Sequence, residues 1–283
     1  MIGSIITDCA DDNARARQEL RFHSLFGVQP TFIGLGDKKP DIEAAGNLLD
    51  QLDIVSHLPK SADNNHAIIL LNIAPRGEAV RKKWENGAPF CYFRYDNALV
   101  VSTFAGANLS LVAERKLVDT VELLDIAAVT AAALEWGEIV PDHANFINYT
   151  QFRSLEFMQL AAYWIASGRA VPSKPEKLTA KSDPLGKVWC IDNFGNAKTT
   201  LLPKDINFAE GKSIRLADGK MAVYYRRLAD VPKEATALVI GSSGYGSNRF
   251  LELVVPWNDL GQPHSESAAT RHNLQIGSPV LAG

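Results

Sequence analysis

The sequence predicts an α/β fold in two parts: an N-terminal α/β domain with a central, largely parallel sheet, then an all-β domain of barrel or sandwich type. Three observations predict it. Up to residue 170, strand-length apolar runs alternate with segments of helical periodicity. A stretch rich in proline and lysine, without periodicity, follows as a linker over 171–186. From 187 to 283 only short β-rich runs remain, bounded by turn residues.

The elements are justified in order. "IGSIIT" (2–7) is a first strand ending at Asp8, and 14–26 is an amphipathic helix. "PTFIGL" (30–35) is a second strand. "PDIEAAGNLLDQLD" (40–53) is a helix started by Pro40 and Asp41. "HAIILLNIA" (66–74) is a mostly apolar run of strand length, typical of a strand buried on both faces. "PFCYFRY" and "ALVVSTFA" give two strands around "DNA" at 96–98. Helices are expected over 117–136 and over "SLEFMQLAAYWIASG" (154–168), the latter stopped by Gly168. In the last part, "KVWCI", "SIRL", "MAVYYRRL", "ATALVIG", "RFLELVV" and "SPVLA" are the expected strands.

Bulk composition narrows the function. The 283 residues are 46% hydrophobic and 22% charged, which is ordinary for a globular chain. A net charge of −3 and a pI near 6.1 argue against a nucleic-acid or anionic-membrane surface. No apolar run reaches the ~18 residues of a membrane span, and the start has no signal-peptide pattern. Cys9, Cys91 and Cys190 lie far apart beside strand residues, without metal-ligand spacing. They read as buried, reduced thiols of a cytoplasmic protein.

Few polar residues stand out by themselves. Asp8 follows the first strand, where open α/β sheets bind ligands and where a carboxylate can accept both hydroxyls of a ribose; a helix cap is the plainer reading. "GLGDKKPD" (34–41) lacks the phosphate fingerprint. "IAPRGEAVRKKW" (73–84) is a basic loop able to hold an anion or simply to be solvated. His57 and His66 read as an exposed loop residue and a strand cap. "GSSGYGS" (241–247) is a glycine-serine loop that offers N–H groups and hydroxyls to a carboxylate, or a plain hairpin loop. "WCIDNFGNAKTT" (189–200) is odder. A tight hairpin would use Asn-Gly or Asp-Gly, whereas here an aromatic stands between two amides.

Taken together, these segments resemble the S-adenosylmethionine hydroxide adenosyltransferases, the family that includes the fluorinase and chlorinase. "IITDCA" matches the opening Thr-Thr-Asp strand end, and "DIEAAGNLL" an Ala-Ala-rich helix. "ILLNIAPRGEAVRK" matches Val-Val-Asp-Pro-Gly-Val-Gly-Thr-x-Arg, and "YDNAL" matches Pro-Asp-Asn-Gly-Leu. "QFRSLEFMQLAAYWIASG" matches Thr-Phe-His-Gly-Arg-Asp and its helix. In the C-terminal part, "IDNFGNAKTT" resembles Asp-x-Phe-Gly-Asn-x-x-Thr-Asn, "GSNRFLELV" resembles Asn-Ser-x-Gly-Tyr-Leu-Glu-Ile-Ala, and "SAATRHNLQIGSPV" the closing motif. The likeness covers nearly the whole chain.

The resemblance implies a site and an assembly. S-adenosylmethionine would be substrate or ligand, with no further cofactor and no metal, in a homotrimer whose pockets form between neighbouring subunits. Asp192 would meet the methionine ammonium, Phe194 would pack on the adenosyl group and Asn196 would bond the adenine. Ser247 would hold the methionine carboxylate, Asp8 the ribose diol, and Asn97 would shape the pocket. A cation opposite a carboxylate and a purine on an aromatic face are chemically coherent.

The family's water-activating Asp-Arg-His set departs. Its aspartate falls on Asn72, its arginine on Arg81 (or Arg76), its histidine on Arg153, and the following acid on Glu156. Asn72 cannot take a proton as a carboxylate can, and Arg153 has no acceptor. Three readings stay open: an enzyme that hydrolyses S-adenosylmethionine with a rearranged set, a non-catalytic adenosyl-ligand binder, and a fold retained for an unrelated small molecule.

Overall fold

A computed structural model describes residues 1–58, 67–74, 87–181, 183–256 and 266–282. The chain divides into two units, Met1–Ala44 with Ile54–Ala180, and Ala45–Asp53 with Lys181–Gly283.

The first unit holds a seven-stranded sheet in the order β2-β1-β3-β5-β4-β6-β7. These are β1 (Ile2–Thr7), β2 (Thr31–Gly34), β3 (Ala67–Asn72), β4 (Phe90–Tyr95), β5 (Ala98–Thr103), β6 (Thr120–Leu124) and β7 (Ser173–Lys177). β2, β1, β3 and β5 run parallel, while β4, β6 and β7 join by antiparallel pairings. β3 and β5 are buried along their whole length, which accounts for their apolar runs Ala67–Leu71 and Ala98–Val101; polar residues come only at their ends. Helix α1 (Asp12–Phe26) is capped by the Asp11 carboxylate on the N–H of Ala14 and closed by Gly27 at φ 70°. Its Phe22 lies where a Cβ on Gly3 would be, so glycine in β1 is what admits the ring. Phe22, Phe90, Phe157 and Trp164 form the aromatic part of this core.

The remaining helices are α2 (Pro40–Ser56), α3 (Ser110–Glu114), α4 (Ile126–Glu135), α5 (Pro141–Tyr149) and α6 (Gln159–Ala166), the last preceded by a π turn over Ser154–Met158. Three expectations are corrected. The helix expected over 117–136 begins only at Ile126, because Thr120–Leu124 is strand β6, with Val121 and Leu124 buried. The expected linker is in part strand. Ser173–Lys177 pairs with β6 at the sheet edge, fully exposed, where Pro175 is tolerated. Helix α5 has no counterpart among the elements expected from sequence. Cys91 is buried, but Cys9 and Cys190 are only partly so, and none of the three is in a disulfide.

The second unit is built on a six-stranded sheet in the order β10-β11-β12-β13-β9-β8. The strands are β8 (Val188–Ile191), β9 (Ala197–Thr199), β10 (Ser213–Arg215), β11 (Met221–Tyr225), β12 (Ala237–Tyr245) and β13 (Asn248–Val254). All pairings are antiparallel except β11 with β12. The last residues join the two edges. Pro279 bridges Lys187 at the start of β8, and Leu281 bridges Leu216 just past β10. Leu216, Tyr224, Leu238, Leu251, Leu253 and Val280 fill the interior. Alternate β13 residues, Phe250, Glu252 and Val254, are absent from that cluster, as period-two alternation requires. Two of the fold's features, the α/β first part and the β-sheet C-terminal part, thus agree with the sequence. Short helix α7 (Ala268–Arg271) precedes the closing segment.

Candidate functional site

In the first unit the parallel strands end together. Thr7 closes β1, Asn72 closes β3 and Thr103 closes β5, and Thr7 pairs with Asn72. Asp8 follows, and its Oδ1 accepts the N–H of Ala74 at 3.0 Å, while its own N–H reaches the Asn72 carbonyl at 3.3 Å. The Asn72 amide donates to Thr7 Oγ1 at 3.3 Å and to Cys9 Sγ at 3.8 Å. The Thr103 hydroxyl oxygen accepts the Ile73 N–H at 3.1 Å and the Asn108 amide at 2.9 Å. This is a polar strand-end cluster, in the place where open α/β sheets take ligands. Thr7 belongs to the matched "IITDCA" strand end, whereas Thr103 and Asn108 were not singled out from sequence, though each ends or follows an apolar run.

Arg153 lies on the same edge. Its guanidinium donates to the carbonyl of Ala88 at 3.1 Å and stands 5.5 Å from the ring centroid of Phe90, which pairs with Thr103. Burial lowers the proton affinity of this arginine. Glu156 is committed elsewhere, with Arg21 at 3.0 Å, Arg17 at 3.7 Å and His143 at 3.7 Å. Asn97 is not in this group. It forms the two-residue β4–β5 turn with Asp96, and its carbonyl accepts the N–H of Ala67, the first residue of β3. That is the opposite end of the sheet from Asn72, five strand residues or roughly 16 Å away. Arg81 and Arg76 lie outside the described residues, as does most of the basic loop.

In the second unit the 192–196 loop is explained by one carboxylate. Asp192 Oδ1 accepts the N–H groups of Phe194 and Asn196, both at 2.9 Å, and Oδ2 accepts the Asn196 amide at 3.1 Å. Gly195, at φ 76°, closes the turn onto the Asp192 carbonyl at 2.9 Å. Four groups thus fix the loop from inside, and Phe194 is left 55% exposed. The strand stops in so polar a turn because Asp192 builds the turn.

The "GSSGYGS" segment corrects the expectation of an open N–H loop. Gly241–Tyr245 belongs to β12, with an irregular register between Ile240 and Gly244. Two of its N–H groups are already taken: Gly244 donates to Asp50 at 2.8 Å and Gly246 to Asp53 at 2.7 Å. Ser247 is exposed at the hairpin tip. The same sheet carries a partly buried charge cluster unforeseen from sequence. Lys198 and Glu252 face each other across β9 and β13, and Lys198 Nζ donates to Ser243 at 3.1 Å. Burial raises the Glu252 carboxyl, against the pull of Lys198 and the Ser242 N–H, and Asp192 and Asp50 push it further up. Asp50 is raised likewise, chiefly by burial. The one signal available in the sequence was "DQLD", two acids a helical turn apart.

These features define a protein with an α/β part and a closed β part, each carrying polar groups of the kind that hold small molecules. Residues 186–281 match the model of the SAM hydroxide adenosyltransferase C-terminal domain. Over this part, about a third of its length, the chain is similar to the C-terminal domain of the SAM hydroxide adenosyltransferases. The fold is also similar to an uncharacterized conserved protein from Thermotoga maritima (TM-score 0.62, 14% identity, 98% of each chain). A conserved hypothetical protein from Thermus thermophilus is similar as well (TM-score 0.57, 19% identity, 99% of this chain and 98% of the other). No curated protein matches the chain. Among the described residues no helix is long and apolar enough to cross a membrane.

Proposed function

We propose that the protein binds an adenosyl ligand of the S-adenosylmethionine type and hydrolyses it slowly or not at all. The observation that carries this reading is the 192–196 loop. A phenylalanine held out by a self-bonded turn is a ready face for a purine, and the carboxylate that holds the turn supplies negative charge for an ammonium. Asp8, on the strand-end cluster, is the candidate for the ribose diol. Ser247 remains the candidate for the methionine carboxylate.

Displacement at the ribose C5′ releases methionine from a sulfonium and needs no acid for its leaving group. The requirement is an oriented, poorly solvated nucleophile. Asn72 donates its amide hydrogens to Thr7 and Cys9, and it has no carboxylate with which to take a proton from water. Arg153 also has no acceptor. Hydrolysis by these residues is therefore weak, and binding is the dominant property. The same resemblance supports a homotrimer, and an odd number of widely spaced cysteines suits a cytoplasmic setting.

Calorimetry with S-adenosylmethionine, adenosine and methionine, paired with chromatographic assay of adenosine release, tests the reading. Binding of an adenosyl compound with little release is expected. Binding of none of them would point to an unrelated ligand. Robust release would mean that another group activates the water.

A further inference from the structure

Among the described residues, the Arg153 guanidinium meets no counter-charge. Arg15, Arg17, Arg21, Arg169, Arg227, Arg249 and Arg271 each lie within ion-pair distance of a carboxylate. Arg153 does not. Its described partners are one carbonyl, that of Ala88, and the face of Phe90. The acid three residues on, Glu156, is occupied by Arg21 and Arg17.

The position is built to hold the group where it is. A Cβ on Gly87 would collide with Arg153 Nη2, so glycine lets the 87–88 backbone lie against the guanidinium. Phe90 is itself fixed by Phe157, 5.7 Å away between centroids. One of the five N–H donors goes to Ala88, and among the described residues the other four, in a fixed fork, meet no acceptor. Phe90 pairs with Thr103, and β3 ends alongside, since Leu71 pairs with Ser102. The guanidinium therefore stands on the carboxyl edge of the parallel strands, the edge where α/β sheets receive ligands. The described groups on that edge are amides, hydroxyls, the Cys9 thiol and carboxylates that accept backbone N–H groups, Asp8 from Ala74, Asp41 from Ala107 and Glu43 from Gly36.

A partly buried guanidinium with four donors in a fork matches two oxygens of one anion. We propose that this strand edge is an oxyanion site, in which Arg153 holds a carboxylate or phosphate group of a small-molecule ligand. Its partial burial, which by itself disfavours the charged form, adds to the gain from pairing.

The test uses the full chain with sodium phosphate, sodium acetate and sodium chloride at matched ionic strength. Phosphate or acetate should raise the melting temperature of the wild type above the chloride control at millimolar concentration. The stronger of the two identifies the phosphate or carboxylate source. Arg153→Gln should weaken that anion's binding by about tenfold or more, the loss of a charge-assisted pair, and Arg153→Lys should retain part of it. As a readout that needs no variant, the Arg153 Nε–H resonance of the wild type should shift on titration with the same anion. An equal effect of chloride, an Arg153→Gln protein that responds as the wild type does, or an unmoved Arg153 resonance would overturn the site. The probes carry no adenosyl group. A negative result here leaves the adenosyl reading of the 192–196 loop standing, and failure of adenosyl binding leaves the anion titration unaffected.

Discussion

The Asp53 carboxylate binds Arg249 at 2.8 Å with one oxygen and the N–H of Gly246 at 2.7 Å with the other. Asp53 is buried and Arg249 is partly so. Asp50, one turn earlier, does the same for Gly244. Residues 45–53 thus hold the β12–β13 hairpin by two carboxylates, and the candidate ligand serine, Ser247, sits on the hairpin so held.

Asp53→Ala should destabilise the protein by about 2–3 kcal/mol, because it strands both the Arg249 charge and a backbone donor. Asp53→Asn keeps an acceptor for Gly246 and should lose less. Urea unfolding monitored by tryptophan fluorescence measures both. Equal stability of Asp53→Ala and wild type would mean that the hairpin does not depend on this carboxylate.

Phe194→Ala and Asp192→Ala should separate loop stability from ligand contact. Phe194 is 55% exposed, so its removal should change stability by no more than about 0.5 kcal/mol. Binding of an adenosyl ligand should still weaken, because the aromatic face is gone. Asp192→Ala should weaken binding more than Asp8→Ala, since it removes both the ammonium's counter-charge and the loop's internal bonds. Calorimetry on the three variants decides it. Unaltered binding by Phe194→Ala would remove the stacking role.

The parts of this fold legible in the sequence were those that one element decides for itself. "HAIILLNIA" reads as a strand buried on both faces and "ALVVSTFA" as a strand, because each carries an apolar run, Ala67–Leu71 and Ala98–Val101, with polar residues only beyond it. Thr120–Leu124 was not legible, since "TVELL" fits either period over so short a span and its pairing with β4 is what settles it. "SKPEK" reads as a linker by composition and becomes a strand because an edge tolerates proline and full exposure. The site divides the same way. Asp192 could be singled out from its local motif, and its bonds are local. The Asp50, Asp53, Lys198 and Glu252 cluster depends on contacts such as Asp50–Gly244 and Asp53–Arg249, 194 and 196 positions apart, beyond any window of periodicity.

Asp218 sets an acid limit on stability. Burial alone would raise its carboxyl. The His272 hydrogen bond at 2.8 Å, the Lys220 N–H and the charges of both partners outweigh that and hold it below the ordinary range. A depressed carboxyl contributes stability above its unfolded pKa of about 3.9, and that contribution is lost as pH falls through the folded value. Asp218→Asn should therefore flatten the acid side of the melting profile and leave its neutral side lower. A parallel acid limb in the variant would exclude Asp218 as its source.

Glu252 works in the opposite sense. Its carboxyl is raised by burial, so between the ordinary carboxylate range and the raised value the folded state holds more protons than the unfolded. Its contribution to stability falls as pH rises through that window. Glu252→Gln should remove the decline, with a smaller loss of stability near neutrality than truncation to alanine, because the amide fills the same space beside Gly241. Melting temperatures from pH 4 to 8 give the answer, and an unchanged slope in the glutamine variant would sink the assignment.

Restoring the water-activating set should restore turnover. In the wild type, Asn72 spends its amide hydrogens on Thr7 Oγ1 and Cys9 Sγ. The Thr7 hydroxyl can turn to donate instead, so a carboxylate at 72 keeps a donor there, while the Cys9 thiol is directed at Asp8. At 153, histidine would free the Ala88 carbonyl and vacate the space against Gly87, while bringing a group that titrates near neutral pH. A positioned base typically contributes ~10²–10⁴ in rate, and groups that act as a unit are poorly replaced one at a time. Asn72→Asp with Arg153→His should thus raise adenosine release from S-adenosylmethionine, while each change alone does little. Chromatographic assay at fixed ligand saturation isolates the chemical step from binding. A double variant that binds normally and releases no more adenosine than the wild type would show that positions 72 and 153 do not address the water.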